Sequence, residues 1–108
     1  MSKAQFIVVY VTAKDLAQAK SIAQKLIAEK LAACVNIIEN VYSMFRWEGK
    51  VDSSGEVLMV IKSQKNLFKK IVQSVKKSHS YDLPEMIALP IVDGSSDYLQ
   101  WIADSTEK

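Results

Sequence analysis

Three stretches of this chain are apolar at consecutive rather than alternate positions: Ile7-Val8-Val9-Tyr10-Val11, Val57-Leu58-Met59-Val60-Ile61 and Ile87-Ala88-Leu89-Pro90-Ile91-Val92. Successive side chains of a strand point to opposite faces, so a sheet covered on one side alternates apolar with polar residues. These runs do not alternate. They predict strands that need cover on both faces, and any fold for the chain must supply it.

The intervening segments predict where that cover comes from. Residues 5–12 (QFIVVYVT) read as the first strand from their β-branched and aromatic content. Asp15 is placed to cap a helix, because its carboxylate can accept the free amide donors of the first turn. Over 16–32, Leu16, Ala19, Ile22, Ala23, Leu26, Ile27 and Leu31 recur at helical spacing. Residues 33–39 return to strand and 41–48 continue it across a bulge, while Gly49-Lys50 and Ser53-Ser54-Gly55 both mark a hairpin turn before a strand at 56–63. A second helix at 65–78 puts Leu67, Phe68, Ile71, Val72 and Val75 on one face and Lys65, Lys69, Lys70, Lys76 and Lys77 on the other. The lysine face reads as the solvated side of an ordinary amphipathic helix. A polar loop, Ser78 to Glu85, leads to a last strand at 86–92, where Pro90 predicts an edge position. A short helix at 96–104 closes the chain.

The order β-α-β-β-α-β plus a terminal helix is the ferredoxin-like α+β plan, with residues 1–108 as one domain. Its two main helices lie on one side of a four-stranded antiparallel sheet. The other side would expose several large side chains per strand, more than the few hundred Å² of contiguous apolar surface usual in a monomer. The terminal helix is too short to hide all of it. A homo-oligomer closed by cyclic symmetry is therefore expected, with the hairpin 41–61 long enough to reach a neighbour.

Composition narrows the function classes. The chain carries 14 Lys plus Arg against 12 Asp plus Glu, and Arg46 is its only arginine. Phosphate and carboxylate recognition favours the arginine fork, so a nucleic-acid partner is not expected. The strand at 57–61 also lacks the aromatic residues on which RNA-binding versions of this fold stack bases. No apolar run is long enough to span a membrane, and the single cysteine suits a reducing compartment, so a soluble cytoplasmic protein is expected.

Candidate chemistry is sparse. His79 is the one histidine, and its imidazole suits copper, zinc or nickel, or an ordinary structural role. One His and one distant Cys fall short of the three or four ligands of a metal site within one chain. Cys34 lies among small apolar residues and reads as a buried, inert thiol; pairing with His79 as a nucleophile would require the two to meet in space. Glu39, Glu48, Glu56 and Glu85 are scattered; Glu56 and Lys62 share one strand face, placed for a cross-strand or intersubunit ion pair. Asn36 interrupts an apolar strand, so its amide needs a partner. No P-loop, dinucleotide fingerprint or CxxC occurs, and neither an organic cofactor nor enzymatic activity is expected.

Four segments, taken in register, resemble the divalent-cation tolerance (CutA) family: Ala28 to Asn36 (AEKLAACVN), Trp47-Glu48-Gly49-Lys50, His79 to Glu85 (HSYDLPE) and Asp97 to Ile102 (DYLQWI). The resemblance runs nearly end to end. It implies a cytoplasmic, ferredoxin-like homotrimer similar in architecture to PII-type signal transducers, linked to tolerance of copper and other divalent metals. Copper ligands in some bacterial members are a Cys near the end of the first strand and adjacent histidines before the last. Here Val11 and Ser78 stand at two of those places and only His79 matches, which implies weak binding of Cu²⁺ or another divalent transition metal. The PII likeness implies the alternative of a small-molecule sensor, with intersubunit pockets lined by Asn36, Trp47, Lys62, Tyr81 and Glu85. A ligand-free interaction scaffold is the third expectation.

Overall fold

The structure, a computed structural model, describes residues 5–107; the ends of the expected 1–108 domain lie outside them. Its elements are β1 (Phe6–Ala13), α1 (Leu16–Ala28), β2 (Cys34–Trp47), β3 (Lys50–Gln64), α2 (Phe68–Ser78) entered through a 3-10 turn at Lys65–Leu67, β4 (Ile87–Pro90) and α3 (Ser96–Ser105). The strands form one antiparallel sheet in the order β2-β3-β1-β4. This is the ferredoxin-like arrangement that the element order predicts.

The register separates the two faces. Ile7, Val9, Val11 and Ala13 of β1 pair with Ser63, Ile61, Met59 and Val57 of β3, and all of them are buried with α1 and α2. Ala19, Ile22 and Leu26 of α1 and Leu67, Ile71 and Val75 beside them complete this core. On the opposite face lie Val8, Tyr10, Leu58 and Val60, half-buried, with Ile38, Ile87 and Leu89 exposed at 48%, 51% and 39%. Helix α3 packs on β3 through the fully buried Ile102, which stands apart from the main core cluster. Gln64 Nε2 donates to Thr106 Oγ1 at 2.7 Å, and Glu107 N–H to the Lys30 carbonyl, fixing the end of α3 to the rest of the chain.

Three boundaries differ from expectation. Helix α1 stops at Ala28 rather than running to 32, because Lys30 adopts a left-handed φ of 59°. Lys30 N–H then donates to the Ile27 carbonyl and Leu31 N–H to the Leu26 carbonyl, the paired bonds that close a helix on a left-handed residue. The hairpin turn is Glu48-Gly49 alone: both residues have positive φ, 50° and 78°, and Trp47 pairs directly with Lys50. That two-residue geometry matches the strand twist. Ser53-Ser54-Gly55 therefore continue β3, opposite Met44, Ser43 and Tyr42. Strand β4 pairs over four residues only, as an edge strand ending at Pro90. The bulge in β2 is present, between Ile38 and Val41, with Asn40 at φ 64°.

Candidate functional site

His79 is the first residue beyond α2, in extended backbone, and its N–H donates to the Val75 carbonyl at 2.9 Å. Its ring spans the gap between two segments. Nδ1 accepts from the Tyr81 N–H at 3.1 Å, so Nε2 carries the proton and donates to the Thr12 carbonyl at 2.7 Å. The Tyr81 hydroxyl in turn donates to Glu56 Oε2 at 2.8 Å, and the His79 and Tyr81 rings pack with centroids 4.7 Å apart. A continuous chain of contacts therefore runs from β1 through the loop to β3 and pins the 79–85 segment to the end of the sheet.

Electrostatics follow from that packing. Burial, then the Glu56 bond and charge, push the Tyr81 phenol up to about 12. Glu85 is raised above the usual carboxylate range, first by partial burial and then by the charge of Glu56. The charge of Glu56 thus bears on both Tyr81 and Glu85. Sequence spacing concealed this, because Glu56 lies within β3 and Glu85 in the loop before β4, far along the chain. The only signal was the two-residue strand period, which puts Glu56 on the same face of β3 as Leu58 and Val60.

These residues form one side of an open cleft of about 960 Å³; Tyr42, Phe45, Trp47 and Asp52 of the long hairpin form the other. Of the five residues expected to share a pocket, Trp47, Tyr81 and Glu85 line this cleft. Asn36 and Lys62 do not. Lys62 Nζ donates to Asn36 Oδ1 and lies 3.9 Å from Cys34 Sγ, with Tyr98 of α3 nearby. Within the chain Lys62 is therefore engaged across the strands with the Asn36 amide. Cys34 pairs with Lys62, four residues along β3 from Leu58, the partner of Thr12. At about 3.3 Å per residue that places the thiol about 13 Å from the His79 end, and the two do not meet.

The residues do not fit a closed metal centre within one chain. Among the described residues no group of three or more His, Cys, Asp and Glu is close enough to hold an ion. Both ring nitrogens of His79 are engaged, Val11 is buried in the core, and Ser78 is the last residue of α2. No helix among the described residues is long and apolar enough to cross a membrane.

With the geometry in hand, comparison with known proteins places the chain. Residues 7–105 match the model of the CutA1 divalent ion tolerance protein family. The chain belongs to that family. It is similar to the chloroplastic CutA protein of Arabidopsis thaliana, 47% identical over 93% of this chain and 55% of the relative. It is also similar to the divalent-cation tolerance protein CutA of Thermus thermophilus, 40% identical over 92% of this chain and 96% of that one. The chain thus spans little more than half the length of the plant protein and nearly all of the bacterial one. Among solved structures, CutA1 from Oryza sativa superposes with a TM-score of 0.93 at 45% identity, covering 96% of this chain and 95% of the other. The CutA1 assignment agrees with the resemblance carried by the four sequence segments, and with their order along the chain.

Proposed function

We propose that this CutA1 family member is a non-enzymatic, homotrimeric response protein of the cytoplasm that meets copper or another divalent metal weakly. The observation that supports weak binding is the engagement of His79: a metal can take an imidazole nitrogen only by displacing the Thr12 carbonyl or the Tyr81 amide. No second imidazole is available, and one displaced ligand gives low affinity unless a neighbouring copy supplies others. The exposed open face, with Ile38, Ile87 and Leu89, supports self-association. Cu²⁺ titration of the native protein and of His79→Ala tests the reading. The variant is expected to bind more weakly; equal affinity removes His79 from the site.

A second reading is favoured by the cleft itself. Its volume lies within the range of small-molecule sites, and it joins aromatic walls to carboxylates beside Tyr81. In this reading the protein senses a small molecule, and neighbouring copies close the cleft. A thermal-shift screen separates the readings, since a ligand that binds only the folded state raises the melting temperature.

A further inference from the structure

Between β4 and α3 the chain runs Ile91-Val92-Asp93-Gly94-Ser95 without helix or strand. Ile91 N–H donates to the Phe6 carbonyl, and Leu99 N–H to the Ser95 carbonyl opens the helix, so the segment is held at both ends. Between these anchors Asp93 and Gly94 are exposed, and Gly94 N–H donates to Asp93 Oδ1 at 2.9 Å. The side-chain carboxyl therefore lies against the amide nitrogen of the next residue. Glycine is required there for a separate reason. A Cβ on Gly94 would come within 3.2 Å of Leu99 Cδ2 and 3.3 Å of its Cγ, tighter than ordinary van der Waals contact.

An aspartyl carboxyl beside an unhindered amide nitrogen can close a ring. The nitrogen attacks Cγ, the N–Cγ bond forms and a Cγ–O bond breaks; the amide proton leaves with that oxygen as water. The product is a five-membered succinimide. Water then reopens it at either carbonyl. Opening at Cγ restores aspartate, whereas opening at the main-chain carbonyl leaves an isoaspartate, whose backbone runs through Cγ and is one methylene longer. Water is the only co-reactant. A side chain on the attacking residue hinders approach, and a backbone held in a ladder or a helix cannot turn to bring the nitrogen over Cγ. Asp52-Ser53 and Asp97-Tyr98 make the same contact, at 2.7 and 2.9 Å, but there the second residue carries a side chain and the pair lies in β3 or α3. Asp93-Gly94 has neither restraint. Both reacting atoms belong to one chain, so the reaction needs nothing from a neighbouring copy.

We propose that Asp93-Gly94 is a site of spontaneous aspartate-to-isoaspartate conversion in the folded protein, through a succinimide closed by the Gly94 nitrogen. The added methylene falls in the segment that carries the chain from the edge of the sheet to α3. Ile102 and Thr106 hold the far part of that helix, so the conversion acts first on its opening turn.

The test is ageing of the full chain, in its native assembly, in heavy-oxygen water at neutral pH. Peptide mapping then locates the label, and an isoaspartate-specific methyltransferase reports the isomer. Each succinimide that opens takes up one heavy oxygen, whichever product forms. Asp93 is expected to gain label and methyl acceptance at least about tenfold faster than Asp52, Asp82, Asp97 or Asp104, a barrier lower by about 1.4 kcal/mol. Asp93→Glu, which would need a larger ring, is expected to abolish both signals at this position. Asp93→Asn, which loses ammonia in place of water, is expected to raise methyl acceptance above that of the parent. Circular dichroism confirms that each variant is folded. A free peptide of residues 91–99 is the unrestrained reference. Conversion in the peptide but not in the assembly overturns the proposal, because the fold then blocks the ring. Labelling of Asp93 no faster than that of the other aspartates overturns it as well.

Discussion

The Tyr81 hydroxyl and the Glu56 carboxylate, 25 residues apart in sequence, meet at 2.8 Å and tie the loop before β4 to the start of the apolar part of β3. The bond exists only while the phenol is protonated, and the phenol titrates near 12 rather than its ordinary value near 10. A raised acid contributes stability that is fully present below the unfolded value and is lost as pH climbs through the folded one. Native stability is therefore expected to fall between about pH 10 and 12 through this group. Tyr81→Phe should cost about 1 kcal/mol at neutral pH, the net worth of a hydrogen bond, and should flatten that alkaline decline. Urea unfolding across the alkaline range measures both; an unchanged alkaline slope would remove Tyr81 as its source.

Glu85 gives the acidic counterpart. Its carboxyl is raised, so the folded state favours its protonated form; the associated stability is present below the ordinary carboxylate range and lost as pH rises through the folded value. Glu85→Gln should therefore gain stability relative to the parent above that range and match it below. The effect is small because the side chain is exposed to solvent. Melting temperatures of the two proteins from acid to neutral pH check the sign.

Lys30 holds a left-handed φ of 59° at the close of α1, where glycine carries no steric penalty. Lys30→Gly is expected to leave the Lys30–Ile27 and Leu31–Leu26 hydrogen bonds in place and to stabilise by up to about 1 kcal/mol, offset in part by greater freedom of the unfolded chain. Lys30→Val at the same place should destabilise by about 1–2 kcal/mol, since a β-branched side chain is strained there. Denaturant midpoints of the two variants should move in opposite directions.

What the sequence disclosed and what it hid follow from how far each signal reaches. Asp15 caps α1 as its position predicts, its Oδ1 accepting the Gln18 N–H at 2.8 Å, because a cap is decided within four residues. Which face of β1 and β3 meets the helices was not readable, because both strands are apolar at consecutive positions and only the packing separates the buried set from the half-buried one. Nor was Lys30, since nothing about lysine announces a left-handed residue. The turn was ambiguous because Gly49 and Gly55 both signal one, and only pairing across the hairpin chooses between them. At the candidate site, Tyr81 and Glu85 stood out in a polar loop, and Trp47 beside a turn. Their junction with Glu56 and the Thr12 carbonyl is a product of tertiary contact, and no local pattern carries it.

The open sheet face gives the prediction with the widest consequence. Ile38 of β2 pairs with Leu58, which in turn pairs with Thr12 of β1, while Leu89 of the edge strand stands opposite Val8. Ile38 and Leu89 are both exposed, and neither belongs to the core beneath α1 and α2. A charge at either place costs the fold of one chain little, because the side chain already faces water. If copies of the chain meet through this face, the same charge must be buried unpaired, which costs several kcal/mol per interface. Ile38→Asp and Leu89→Asp are therefore expected to shift sedimentation from a multiple of 12.1 kDa toward the single chain, with circular dichroism nearly unchanged. A change at Ala23, buried between helices and sheet, should instead damage the fold itself. If both aspartate variants sediment as the parent does, association runs through some other surface, and the hairpin reaching past the sheet becomes the next place to look.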